Sequence, residues 1–83
     1  MKLNNNYTIK KVFDSSILID KRTSKYVIKL NETSEAIINL TLEGKNRSEI
    51  ASILSKEYDI DLDTLVKDID ELLDMLISKE VLI

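Results

Sequence analysis

The chain has 83 residues, a net charge of -3, no His, Cys, Trp or Pro, and a single Gly. It therefore lacks the commonest proton shuttle of enzymes, every thiol nucleophile, and the imidazole and thiolate groups that bind transition metals. These absences disfavour an independent enzyme and a transition-metal protein, and the single Gly disfavours a glycine-rich phosphate-binding loop.

The first third of the chain has the composition of short β-strands. Three segments rich in aromatic or β-branched side chains are separated by polar residues. They are residues 7–13, 16–19 and 26–30. Asp14 and Ser15 suit a tight turn, and residues 20–24 suit a longer hairpin connection, so the sequence predicts three antiparallel strands.

Helical periodicity replaces the strand pattern after Leu30. Residues 33–42 place apolar side chains on one helix face, and Gly44 is suited to end that helix in the left-handed conformation. Asn46 and Glu49 have the spacing of a capping box, which predicts a second helix over residues 47–57. The side chains that this second helix is expected to bury are Ile50, Ile53, Leu54 and Tyr58.

The third predicted helix has the most regular apolar stripe. Asp61 is suited to cap its N-terminus, and apolar residues then recur at steps of three and one. They are Leu62, Leu65, Val66, Ile69, Leu72, Leu73 and Leu76. Three antiparallel strands followed by three helices predict an α+β, winged helix-turn-helix-like fold, which we expect residues 1–83 to form as a single domain.

A winged-helix shape also suits a nucleic-acid-binding transcriptional regulator, and the distribution of charge bears on that alternative. Residues 1–29 carry a net charge of +5, whereas residues 30–83 carry -8. The acidic side chains of the last helix would repel phosphate in the major groove, so binding of DNA through this helix is disfavoured. The same asymmetry can steer a peptide of mixed charge, although solvated surfaces account for most such patterns.

Three parts of the sequence resemble the PqqD-like proteins, also called RiPP precursor peptide recognition elements. They are the run from Leu18 to Asn31, the Glu43-Gly44 pair and the segment from Asn46 to Ile50. The likeness continues through the rest of the chain at Leu54, Tyr58, Asp68-Ile69, Leu72-Leu73, Leu76 and Val81-Leu82-Ile83. The resemblance covers about residues 7–83, and the Asp-x-Arg-Thr-x-x-Tyr-x-x-x-Leu-Asn pattern that begins at Asp20 is most similar to the B1 proteins of lasso peptide biosynthesis. Two departures occur, because Ser24 stands where Gly is frequent and Lys79-Glu80 replaces the usual Arg-Gly.

The resemblance implies a peptide-binding protein without catalytic activity of its own. Its partners would be the leader segment of a ribosomally made precursor peptide and a modifying enzyme or cysteine-type leader peptidase. By position, the edge strand that receives the leader would contain Tyr26, Val27, Ile28 and Lys29. The facing wall of the third helix would contain Leu65, Asp68, Leu72 and Met75.

These side chains also have ordinary structural explanations. Strict alternation puts Tyr26 and Ile28 on one face of the strand and Val27 and Lys29 on the other, so at least one pair is plain core or plain surface. The two leucines of the helix wall belong to the regular stripe and favour a core position, whereas Met75 lies off its centre.

Further expectations concern location and other partners. We expect no cofactor, no metal, no nucleic-acid partner and no membrane partner. The absence of cysteine and of a long apolar run favours a cytoplasmic protein. A plain adaptor or oligomerisation module is the third functional hypothesis.

Overall fold

Three strands and then three helices follow one another in the computed structural model, which describes residues 1–83. The strands are β1 (Tyr7–Val12), β2 (Ser15–Asp20) and β3 (Lys25–Leu30), and the helices are α1 (Glu32–Leu42), α2 (Arg47–Tyr58) and α3 (Leu62–Ser78). The sheet is antiparallel with the order β1-β2-β3, so β2 is central and the other two strands are edges. The predicted α+β, winged-helix-like element order is confirmed. None of the three helices has both the length and the apolar content that a membrane crossing requires.

The first hairpin turns one residue earlier than predicted. Val12 pairs with Ser15, so the turn consists of Phe13 and Asp14 instead of Asp14 and Ser15. Phe13 has a φ of 54° and is 96% exposed. The prediction was wrong because a positive φ at the first position of a two-residue turn is typical of Gly and uncommon for a bulky aromatic residue.

The second hairpin is held by an arginine that also contacts β1. Arg22 donates to the Asp20 carboxylate from its backbone N–H at 2.9 Å and from Nε at 3.0 Å. These hydrogen bonds lower the pKa of Asp20. The Arg22 guanidinium also lies 5.5 Å from the centre of the Tyr7 ring and donates to the Tyr7 hydroxyl at 3.1 Å, which ties the hairpin connection to β1.

Both departures from the resembled family fall where the backbone is left-handed. Ser24 has a φ of 60°, and Glu80, the second residue of the Lys79-Glu80 pair, also has a φ of 60°. Gly adopts this conformation without the steric cost that a Cβ introduces. Because this chain has Ser24 and Glu80 where the resembled pattern has Gly, its backbone is somewhat strained at both positions.

The hydrophobic core is one cluster of 13 buried residues drawn from the sheet, all three helices and the C-terminal segment. The centre of α2 contributes Ile50, Ala51 and Leu54, but Ile53 is 37% exposed, so its predicted burial was wrong. At 100° per residue, Ile53 lies about 100° from the middle of the face that these three residues form. Leu62 and Val66 of α3 are likewise 50% and 44% exposed, whereas Leu65 between them is fully buried.

Local signals fix the helix ends. The Asn31 side chain accepts from the Ser34 N–H at 2.8 Å to cap α1, and the Asp61 side chain accepts from the Thr64 N–H at 3.1 Å to cap α3. The predicted capping box is present, since the Asn46 side chain accepts from the Glu49 N–H and the Glu49 carboxylate accepts from the Asn46 N–H, both at 2.9 Å. Gly44 has a φ of 96° after the end of α1, as predicted.

Removal of the α2 cap should lower stability measurably. Asn46→Ala is expected to reduce the free energy of unfolding by about 1 kcal/mol, because it leaves the Glu49 N–H without its side-chain acceptor. Urea unfolding followed by circular dichroism measures this change. Ser52→Ala, at an exposed position of the same helix, is the control and should stay within about 0.5 kcal/mol of the parent protein. Equal effects of the two substitutions would contradict the capping role.

Candidate functional site

The outer edge of β3 is not paired with any other part of the chain. β3 pairs with β2 alone, and no backbone hydrogen bond made outside the helices and strands involves residues 25–30. The N-terminal segment pairs elsewhere, because Lys2 exchanges two backbone hydrogen bonds with Ile83 and the Asn4 N–H donates to the Val81 carbonyl at 2.8 Å. An unpaired edge offers N–H and C=O groups to a second extended chain.

A β-bulge interrupts this edge strand. Leu18 of β2 pairs with Ile28 and the adjacent Ile19 pairs with Tyr26, so Val27 is the extra residue of β3. Val27 and Ile28 both pack against the core, whereas Tyr26 is 66% exposed. The strict alternation predicted for β3 was therefore wrong, because a bulge puts two successive side chains on the same side of the sheet.

A cleft lies between α1 and α3, beside the C-terminal end of β3. We call it the α1–α3 cleft; its volume is about 410 Å³. It is lined by Asn31, Thr33, Ser34 and Ile37 from the start of α1 and by Asp68, Glu71, Leu72 and Met75 from α3. No residue of β3 itself lines the cleft, but Asn31 directly follows β3, so the cleft begins where the edge strand ends.

The structure places three of the eight residues predicted for the site in one cleft. Asp68, Leu72 and Met75 all line the α1–α3 cleft. Leu65 does not, because it is fully buried in the core and its side chain is not accessible to a ligand in this structure. On β3, the side chains of Tyr26 and Lys29 are exposed, whereas those of Val27 and Ile28 between them are half-buried.

The α1 wall of the cleft and one acidic residue of α3 were not among the residues predicted for the site. Asn31 directly follows β3, so its place beside the strand end could have been expected from chain connectivity. Glu71 lies three residues after Asp68, a spacing that puts both carboxylates on neighbouring parts of one helix surface. Ile37 has no comparable local signal, since its contact with the cleft depends on how α1 packs against α3.

The acidic side chains of α3 differ in whether they have partners. Arg47 of α2 donates to Asp70 at 2.7 Å and to Asp74 at 2.8 Å, and these bonds raise the pKa of Arg47. Asp68 and Glu71, on the side of the cleft, make no ion pair. The cleft therefore combines an apolar floor with two uncompensated carboxylates.

A second cavity, of about 450 Å³, lies beneath the tip of the first hairpin and beside β1. Four of its polar side chains, those of Lys11, Glu32, Glu35 and Tyr58, already bond to one another or to neighbours. The Tyr58 hydroxyl donates to Glu32 at 3.2 Å, Ser16 donates to Glu35, and Lys11 lies 3.9 Å from Glu35. Partial desolvation and the charge of Glu32 raise the pKa of Tyr58. These bonds hold α1 against the sheet and α2, so we favour the α1–α3 cleft as the functional site.

Comparison with known proteins agrees with the fold. The family model described as coenzyme PQQ synthesis protein D (PqqD) matches residues 15–82, while a search of curated protein sequences found no match. The structure of TbiB1 in complex with the TbiA(beta) leader peptide is 28% identical, with a TM-score of 0.76 over 98% of this chain and 93% of that one. A lasso peptide synthetase B1 complexed with the leader peptide is 24% identical, with a TM-score of 0.80 over 94% of this chain and 91% of that one, which supports the fold alone.

Proposed function

The chain belongs to the PqqD family, and from this premise we propose that it binds the leader segment of a ribosomally synthesised precursor peptide in lasso peptide biosynthesis. The observation that carries the proposal is the unpaired edge of β3 next to the open α1–α3 cleft. The likeness to TbiB1, a protein solved with a leader peptide, supports the same ligand class.

Binding would occur by strand addition. An extended leader lying along residues 26–29 satisfies its backbone groups on the free edge of β3, while its side chains on one face enter the cleft beside Asp68, Leu72 and Met75. Each backbone hydrogen bond to the leader replaces hydrogen bonds to water, so it contributes only about 0.5–1.5 kcal/mol net to binding. Side-chain contacts therefore supply much of the affinity and the sequence preference.

The protein would act as a carrier and not as a catalyst. The protein holds the precursor by its leader segment, and a separate modifying enzyme or cysteine-type leader peptidase makes the chemical change. This division of work fits a chain without His or Cys. It also fits the α1–α3 cleft, whose lining has two carboxylates and an apolar floor but no nucleophile paired with a base.

A titration monitored by nuclear magnetic resonance tests the binding site. The leader peptides encoded in short reading frames beside the gene are added to the 15N-labelled protein. Saturable shifts are expected in amide signals of residues 25–30 and of α3, because these elements border the added strand. A scrambled leader is the control. Shifts confined to residues 1–12 would instead assign binding to the other free edge of the sheet, at β1.

The nucleic-acid alternative makes a different prediction. A DNA-binding protein would retain DNA in a salt-sensitive manner at low protein concentration, whereas the proposed carrier would not. The exposed acids of α3 and the ion pairs of Arg47 with Asp70 and Asp74 leave that helix with a negative surface, which disfavours phosphate. A mobility-shift assay with mixed duplex DNA separates the two functions.

A further inference from the structure

The charge on the α3 side of the α1–α3 cleft points to a preference among leader peptides, on the condition that the proposed leader binding is correct. Arg47 forms ion pairs with both Asp70 and Asp74 on the far flank of α3, so its single positive charge is shared between those two carboxylates. Asp68 and Glu71, which line the cleft, are exposed and have no cation within 4.0 Å. A ligand in the cleft therefore meets two negative charges that the protein itself does not balance.

Lys67 is the nearest basic residue of the same helix but is a poor partner for these acids. It precedes Glu71 by four residues, and a lysine N-terminal to a glutamate is the weaker orientation of such a pair. Exposed pairs of this kind contribute only about 0–1 kcal/mol even when formed. The carboxylates are thus available to a cation supplied by the ligand.

The apolar part of the cleft lies about one helical turn farther along α3, toward its C-terminus. Leu72 and Met75, together with Ile37 of α1, form its floor. The midpoint of Leu72 and Met75 lies four residues beyond that of Asp68 and Glu71, a rise of about 6 Å along the helix. Successive side chains on one face of a β-strand are about 6.6–6.8 Å apart, so a strand lying along α3 would match both parts with residues two apart.

We infer that Asp68 and Glu71 select leader peptides that carry a lysine or arginine two residues from an apolar side chain seated on Ile37, Leu72 and Met75. The apolar residue of the leader makes the buried contact. The basic residue pairs with the two carboxylates and so distinguishes one leader from another. A leader with an acidic residue at the basic position is repelled by two carboxylates and binds more weakly. Preference at this position is then a property of the carrier and not of the enzyme that follows it.

A phage-displayed library of random 12-residue peptides tests this inference without knowledge of the natural leader. The library is selected on the parent protein, on Asp68→Asn/Glu71→Gln and on the control Glu43→Gln/Glu57→Gln. The control removes the same charge from exposed acids outside the cleft. Peptides that still bind Met75→Lys are discarded, because they bind elsewhere.

The expected result is enrichment of Lys or Arg two positions from an apolar residue on the parent and control proteins, and loss of that enrichment on Asp68→Asn/Glu71→Gln. Exchange of the basic residue of one selected peptide for Ala should weaken binding about fivefold on the parent and leave the variant unchanged. Enriched peptides without a basic preference, or with the same preference on the variant, would overturn this inference alone. Failure to enrich any peptide that requires the cleft would overturn the proposed function as well.

Discussion

Leu76→Ala is expected to lower the free energy of unfolding by about 2–5 kcal/mol. The Leu76 side chain is fully buried where α3 meets the C-terminal segment, and the Leu76 carbonyl accepts from the Val81 N–H at 2.8 Å. Alanine keeps the helix and removes only packing, so the loss reports the cavity left behind. A chain of 83 residues has a total stability of only about 4–12 kcal/mol, and the variant should be partly unfolded at 37 °C if the parent lies near the lower value.

Urea unfolding followed by circular dichroism measures the difference between Leu76→Ala and its matched control, Leu62→Ala. The control makes the same change in the same helix at a side chain that is 50% exposed, so it should cost less than about 1 kcal/mol. Similar losses for the two variants would mean that the end of α3 does not anchor the core. A large loss for Leu62→Ala alone would place the centre of the core at the start of α3.

Helix ends were predictable because their signals are local. The capping box of Asn46 and Glu49 and the left-handed Gly44 each depend on residues that are close in sequence. Their geometry is therefore nearly independent of the rest of the fold. The same holds for Asp61, whose side chain binds the Thr64 N–H three residues later.

The irregular backbone of the sheet was not predictable from alternation. Phe13 occupies a turn position that normally favours Gly, and an aromatic side chain does not predict a positive φ. The bulge at Val27 inserts a residue into β3 without a break in the apolar pattern, since Val27 and Ile28 both face the core. Strand composition predicts a strand but does not specify its register.

Only part of the candidate site could be predicted. Helix periodicity identifies the apolar face of α3 but not which elements pack against that face. Leu65 and Leu72 both belong to the apolar stripe of α3, yet Leu65 is fully buried and Leu72 lines the α1–α3 cleft. The difference arises from the position of α1, whose Ile37 completes the cleft. Such a division between core and cleft is a tertiary property, and only the packed structure contains it.

The largest expected effect on leader binding comes from Met75→Lys. Met75 is half-buried on the floor of the α1–α3 cleft, where a bound leader would cover it. A lysine there would have to lose water around its ammonium group when the leader binds, or hold the leader away from the floor. Loss of one central contact in an interface commonly costs about 2 kcal/mol or more, which corresponds to roughly 30-fold weaker binding.

Fluorescence anisotropy with a labelled leader peptide measures this loss, and Val66→Lys is the matched control. Val66 lies on the opposite flank of α3, where it lines a small cavity with Arg47 and Asp70, and it is 44% exposed. The control adds the same charge to the same helix and should change leader affinity less than about twofold, because single exposed charges contribute at most about 1 kcal/mol. Thermal melts of both variants establish that they remain folded. If folded Met75→Lys binds the leader as tightly as Val66→Lys does, the leader does not occupy the α1–α3 cleft, and the free edge of β3 alone cannot account for selective binding.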